Sequence, residues 1–264
     1  MVINKYLKRI NLHSEVKPDL ETLRSLHRQH LYNVPFENLD IHCGRKIVLE
    51  KNKLLQKIIG EGRGGFCYEL NGAFYELLTT AGFKVKRISA GVCDDGENYG
   101  PDFDHMALIV NINGEEFLAD VGFGDSFIEP LKFKPDEIQK DIKDYFRISK
   151  SEDKQYYILS RSSDGNNFLP QYRFTTASRE LNEYDEMCRY HQTSPLSHFT
   201  QKVICSMAVE TGRVSLSDLK FIRTVDGVKS QKDITETEFC TLLKTHFNIS
   251  LTDRLSFPNH SQKA

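Results

Sequence analysis

The chain has 264 residues, 35 lysines and arginines against 37 aspartates and glutamates, and a formal net charge of −2. That length supports a sizeable core in one to three units, and the balanced charge excludes the basic face that nucleic acid or an anionic membrane surface would need. The apolar run Met106 to Val110 is far too short to span a membrane. Lys5, Lys8 and Arg9 are not followed by the apolar stretch of a secretion signal. Six cysteines, at positions 43, 67, 93, 188, 205 and 240, are scattered without a C-x-x-C pair, so the chain reads as cytoplasmic with reduced thiols. Nor does any Cys/His cluster have zinc-ligand spacing, and no metal is expected.

The first eighty residues read as helices. Asp19 is placed to cap a segment with Leu20, Leu23, Leu26, His27 and Leu31 on one stripe. Lys53 to Ile59 carries a second apolar set. A third helix follows Arg63-Gly64-Gly65-Phe66-Cys67-Tyr68-Glu69-Leu70-Asn71, with Phe66, Leu70, Phe74, Leu77, Leu78 and Ala81 on one face and Gly82 as the C′ residue. Cys67 therefore falls in a first helical turn, where free backbone N–H groups and the macrodipole favour a nucleophilic thiolate. A lone cysteine is also commonly just a small buried hydrophobe.

From Phe83 the pattern becomes that of strands: Lys84 to Val92, His105 to Gly122, Tyr145 to Lys150, Gln155 to Arg161 and Tyr172 to Thr175. Turn signals stand at Asp94-Asp95-Gly96, Asn113-Gly114 and Asp164-Gly165. The Asn113-Gly114 pair predicts a type I′ hairpin in which Ile112 faces Glu115, Ala107 faces Asp120 and His105 faces Gly122. His105 and Asp120 then become diagonal neighbours about 7–8 Å apart at the backbone, at the open end of one face. Met106, Leu108, Val110, Ile112, Phe117, Ala119 and Val121 form the apolar opposite face. A carboxylate so placed can orient an imidazole, although a purely structural His–Asp bond has the same pattern. After Pro195 come Phe199 to Val209, a Thr211-Gly212 turn, a strand near Val214, and Phe221 to Val225 with Asp226-Gly227. Thr235 and Glu238 form a capping-box signature before Phe239, Leu242, Leu243 and Phe247.

Cys67, His105 and Asp120, 38 and 15 residues apart, make a candidate thiol triad. With them the chain resembles the arylamine N-acetyltransferases. The resemblance rests on Arg63-Gly64-Gly65-Phe66-Cys67 with Glu69-Leu70-Asn71, on Val34-Pro35-Phe36-Glu37-Asn38-Leu39, on Asp120-Val121-Gly122-Phe123-Gly124 and on Ser194-Pro195-Leu196-Ser197-His198-Phe199. It implies an α+β fold in three parts around a Cys-His-Asp core like that of thiol proteases and transglutaminases. A helical domain over 1–82 would carry the nucleophile, an antiparallel β-barrel domain over 83–192 the histidine and aspartate, and an α/β lid would cover 193–264. It further implies Phe36 and Phe123 as walls of the acceptor site, and Glu37 holding local structure with Arg63. The expected activity is acetyl-CoA-dependent N-acetylation of arylamines or arylhydrazines by a ping-pong route through acetyl-Cys67, CoA being released.

The same triad would also serve an amide synthase, or a hydrolase or transglutaminase. Papain-type spacing, with histidine over a hundred residues past the cysteine, does not fit. No G-x-x-x-x-G-K-[ST] or G-x-G-x-x-G cradle is present, so the residues contacting CoA are not assigned. Gly62, Gly64 and Gly65 read as backbone clearance for the thiol and its substrate. The block containing His198 reads as an anchor for the third part.

Overall fold

Asp19 starts its helix as expected, its carboxylate accepting the Thr22 N–H at 2.8 Å. The computed structural model describes residues 2–94 and 96–258. Asp95, the middle of one expected turn, lies outside the described residues. The N-terminal region runs through α1 (Val2–Arg9), α2 (Leu20–Asn33), the short strand β1 (Phe36–Glu37), α3 (Leu39–His42), α4 (Lys51–Leu55) and α5 (Cys67–Thr80). Gln56–Gly60 continues α4 as one π-helical turn. In α5 the predicted stripe is the buried one: Leu70, Phe74 and Leu78 have no exposed surface, and Gly82 takes the C′ place with φ +90°.

Eight strands follow as one antiparallel sheet: β2 (Lys84–Val92), β3 (His105–Ile112), β4 (Glu115–Ala119), β5 (Leu131–Lys132), β6 (Ile138–Lys140), β7 (Tyr145–Lys150), β8 (Tyr157–Ser162) and β9 (Leu169–Phe174). Their order is β5-β4-β3-β2-β9-β8-β7-β6. The Gln139 side-chain amide bonds both the N–H and the carbonyl of Lys132, at 2.7 and 2.8 Å. The two edge strands are thereby joined and the sheet nearly closes as a barrel. Helices α6 (Asp185–Thr193) and α7 (His198–Gln201) lead to β10 (Ile204–Val209), β11 (Gly212–Ser217), β12 (Lys220–Val225), β13 (Val228–Asp233) and α8 (Glu236–Phe247). The capping box predicted for α8 is formed by Thr235 and Glu238. Both Asn113-Gly114 and Asp226-Gly227 have the paired positive φ of a type I′ turn, at 53° and 91° and at 47° and 82°.

The central hairpin keeps the predicted register, from Ile112↔Glu115 to Leu108↔Ala119. It differs in two respects. Strand β4 ends at Ala119 instead of Gly122, because the next three N–H groups bond elsewhere, as described below. The face carrying His105 is also not open: Ala107, Ile109 and Leu118 belong to an apolar core inside the barrel with Phe146, Ile148 and Tyr172. The other face is buried in a core, as its apolar pattern implied, and the helix it shares that core with is α5. A third apolar core lies between β10, β11 and α8.

Two of the recognised sequence blocks are physically paired. Glu37 N–H donates to Gly65 O at 2.9 Å and Gly65 N–H to Pro35 O at 3.3 Å, while β1 also pairs with β10. Gly64 is therefore clearance for that strand and Gly65 for the Glu69 side chain, whereas Gly62 has open space around it and a φ of +66°. A Cβ on Gly64 would lie 1.9 Å from the Pro35 carbonyl oxygen, and one on Gly65 would lie 2.7 Å from the Glu69 side chain. Because the obstacle at Gly64 is backbone, Gly64→Ala is expected to cost about 3 kcal/mol. Urea unfolding should show a lowered midpoint at unchanged slope, and a variant with the parent midpoint would contradict the close approach.

Candidate active site

The site is built on the segment that leaves β4. Asp120 N–H donates to His27 Nε2 at 3.0 Å, Val121 N–H to Asn71 Oδ1 at 3.0 Å, and Gly122 N–H to Asp120 Oδ1 at 2.9 Å. Three successive amides thus leave the ladder, which is why the strand stops. The Asp120 carboxylate accepts from His105 Nε2 at 2.7 Å through Oδ2, and from Asn71 Nδ2 at 2.8 Å through Oδ1. Burial alone would raise its pKa. The His105 interaction, the Asn71 amide and the Gly122 N–H outweigh that and hold the carboxyl below its ordinary value. A carboxylate only accepts, so His105 carries its proton on Nε2.

Asn71 and His27 are the residues that sequence reasoning missed. Asn71 stands one helical turn after Cys67 and also donates to Met106 O at 2.6 Å, so one side chain ties α5, β3 and the Asp120 segment together. His27 comes from α2, its Nδ1 donating to Ile128 O at 2.7 Å while Nε2 accepts from Asp120. These partners fix a neutral tautomer. Burial pushes the imidazole down to about 4, against the contacts with Ile128 and Asp120 that favour protonation. A signal did exist in the sequence. Both are polar residues on faces otherwise occupied by buried apolar side chains.

Cys67 begins α5 and is 4% exposed. It lines a cavity of about 560 Å³ together with His105, Phe36 and Phe123, a volume suited to a small ligand. The cavity therefore brings together four of the five expected residues, and the fifth, Asp120, stands behind His105. Phe123 packs edge-on against His105 with ring centres 5.3 Å apart. Gly122 is the glycine whose backbone clears Cys67, since a Cβ there would meet Cys67 Cα at 2.9 Å. The thiol differs from expectation in its acidity. Burial pushes its pKa well up and the Asp104 and Asp120 charges add to this, with a Met106 backbone hydrogen bond opposing. In so dry a place the helix-start field does not by itself yield a thiolate.

Behind the Cys67 helix lies a buried cluster of five ionisable side chains. Arg63 bonds Glu37 at 2.8 Å and Asp40 at 2.9 Å, and Lys57 bonds Asp40 at 2.7 Å and Glu69 at 2.8 Å. The Glu37–Arg63 contact implied by the resemblance is thus present. Glu69 Oε2 accepts the Phe66 N–H at 3.2 Å, which fixes the approach to Cys67. Burial raises the Glu69 carboxyl to about 7, against the pull of Lys57. The block around His198 is tied down by Asn38, whose Nδ2 donates to Phe199 O at 2.9 Å and Lys202 O at 2.7 Å. His198 itself is exposed at the cavity, 3.7 Å from Asp94. Among the described residues no group of three or more His, Cys, Asp or Glu side chains is arranged for a metal ion. No helix among them is long and apolar enough to cross a membrane.

A family model described as N-acetyltransferase matches residues 19–256. The chain belongs to the arylamine N-acetyltransferase family. Arylamine N-acetyltransferase 2 of Mus musculus is 31% identical over 288 residues, covering 100% of this chain and 99% of that protein. Proansamycin X synthase of Amycolatopsis mediterranei (strain S699) is 30% identical over 243 residues, with coverages of 89% and 92%. The solved arylamine N-acetyltransferase from Salmonella typhimurium superposes with a TM-score of 0.88 at 26% identity, over 96% of this chain and 92% of that one. As a member of the arylamine N-acetyltransferase family, the protein is an acyltransferase.

Neutral His27 makes a pH prediction. Its folded pKa, about 4, lies below the ordinary 6.5, so the unfolded chain binds more protons between those values and stability falls as pH drops from 6.5 to 4. The full loss is about 3 kcal/mol. His27→Gln removes the titration, so the stability gap between parent and variant should shrink by about that amount between pH 7 and pH 4. A gap constant with pH, measured by urea unfolding, would show that His27 is not held neutral.

Proposed function

We propose that the protein transfers an acetyl group from acetyl-CoA to an arylamine or arylhydrazine by way of acetyl-Cys67. The observation that carries this reading is the shared cavity. Cys67 and His105 line it, Asp120 is bonded to His105, and the aromatic walls Phe36 and Phe123 stand beside them. With Nε2–H held by Asp120, Nδ1 of His105 is the nitrogen available to take the thiol proton. A lone thiolate is disfavoured in this buried place, but proton transfer to His105 creates opposite charges that stabilise one another.

The thiolate attacks the thioester carbonyl, and the imidazolium proton goes to the departing CoA thiolate. The Cys67 and Tyr68 N–H groups at the start of α5 would donate to the developing oxyanion. Aromatic amines are weakly basic and remain neutral and nucleophilic at neutral pH. One attacks acetyl-Cys67, His105 takes its proton, and the thiolate–imidazolium pair returns. An amide synthase would share every step and differ only in carrying amine and acyl group in one molecule. The similarity to proansamycin X synthase supports keeping that as the second reading.

Two measurements test the scheme. Mass spectrometry of protein incubated with acetyl-CoA alone should show one acetyl group on the Cys67 peptide, and double-reciprocal plots should be parallel. Cys67→Ala should keep its fold and lose both the adduct and turnover. Intersecting lines without an adduct would point to direct transfer in a ternary complex.

Asp120→Asn separates catalysis from structure. Asparagine keeps the size but loses the charge that stabilises imidazolium, and turnover should fall about a thousandfold or more. Thiol alkylation should shift to higher pH at the same time. Near-normal acetylation with an unshifted alkylation profile would reduce the triad to a dyad.

A further inference from the structure

A second cavity, of about 710 Å³, shares no lining residue with the one that holds Cys67. Helix α1 contributes Lys5, Lys8 and Arg9 to it, and Asn52, Gln56 and Asn248 add side-chain amides. Among the described residues no aspartate or glutamate lines it. Glu61 stands in the chain between two of its wall glycines, Gly60 and Gly62, yet lines a separate cavity with Lys57 and Glu69. The field inside is therefore positive and hospitable to an anion.

The fold alone does not account for these cations. Lys5 stands three residues before Lys8 and four before Arg9, so the three charges share one face of α1, a helix with no acidic residue. Like charges at that spacing destabilise a helix. The helix dipole favours Lys8 and Arg9, which are in the last turn, but not Lys5. Arg9 spends its N–H groups on neutral acceptors. Its Nε donates to Ile58 O at 3.0 Å, one terminal nitrogen to Gly62 O at 3.0 Å and Arg63 O at 3.2 Å, and the other to Asn33 O. Its donors are satisfied and its charge is not. Among the described residues none of the three cations has a carboxylate within 4.0 Å. Lys5 and Lys8 are exposed, with their ammonium groups available to a ligand. One wall of the cleft is the π-helical turn Gln56–Gly60, a geometry that recurs at functional sites. A Cβ on Gly60 would lie 2.7 Å from Gln56 Oε1, so the glycine lets the Gln56 amide lie back against the turn.

We propose that this cleft binds the di- or triphosphate group of a small molecule, at a site distinct from the acyl-transfer cavity. Lys5 and Lys8 would meet the phosphate oxygens as point charges, and Arg9 would add its field without donating. The three amides would hydrogen-bond the remainder, and the volume suits a compound of nucleotide size. The inference stands independently of the acetyl-transfer reading.

The probe is inorganic pyrophosphate, titrated calorimetrically into the protein at constant ionic strength, with acetate as the monoanionic control. Pyrophosphate should bind and acetate should not. The affinity should fall about tenfold or more in Lys5→Gln/Lys8→Gln, as expected for losing hydrogen bonds to a charged group. Lys220→Gln/Lys229→Gln removes the same charge from exposed positions on β12 and β13, and should leave binding as it is. No binding, equal binding of acetate, or an equal loss in the two double variants would overturn the site. In the parent protein, pyrophosphate should also protect Lys5 and Lys8, but not Lys220 and Lys229, from reductive methylation read by peptide mass spectrometry. Uniform protection, or none, would likewise overturn it. Repeating the titration with CoA present separates two sources of the phosphates. Competition assigns the donor's own diphosphate to the cleft, and independent binding assigns a free phosphorylated compound.

Discussion

The structure depends on where three consecutive amides go. Had the N–H groups of Asp120, Val121 and Gly122 stayed in the ladder with β3, Asp120 would lie in a regular strand, fixed by hairpin register alone. Instead they bond His27, Asn71 and the Asp120 carboxylate. A buried N–H without a partner is costly, so the departure from the ladder requires all three acceptors. The aspartate is therefore positioned from α2, α5 and β3 together, with Gly122 clearing the Cys67 backbone. One segment carries both the carboxylate bonded to His105 and the glycine that lets Cys67 approach.

The charge cluster does similar work from the other side of α5. Arg63 holds two carboxylates and Lys57 three, drawn from β1, α3 and the first turn of α5. Removing one member leaves a buried charge without its partner, which is far more damaging than losing a surface pair. The Arg-Gly-Gly-Phe-Cys and Pro-Phe-Glu-Asn blocks are thus two halves of one support. Their glycines serve close backbone packing, and their ions fix the entry to the nucleophile.

Much of this was legible in the sequence where a local rule operates. The caps at Asp19 and Thr235, the α5 stripe and the two paired-positive-φ turns depend on neighbours a few residues apart, and the hairpin register followed from Asn113-Gly114. Strands β5 and β6, of two and three residues, are too short to show a period. Helix α6 escaped because Cys188 and His191 are its only buried residues. The candidate triad was chosen by residue type and spacing, and the two residues that hold Asp120 were not. His27 reaches Asp120 across 93 residues, and both His27 and Asn71 act on backbone amides, which carry no residue-type signature. A helix start at Cys67 is visible in sequence, whereas the burial that pushes its thiol pKa up is a tertiary property.

His27 and Glu69 together give the molecule a proton balance that neither reveals alone. The imidazole gives up a proton on folding, its folded value of about 4 lying below the ordinary 6.5. The carboxyl does the reverse, being held at about 7 when folded against an ordinary 4.5, so its contribution falls as pH rises through that interval. Between pH 4.5 and 6.5 the proton that His27 gives up on folding and the one that Glu69 takes up offset each other, so these two groups together add little to the slope of stability with pH.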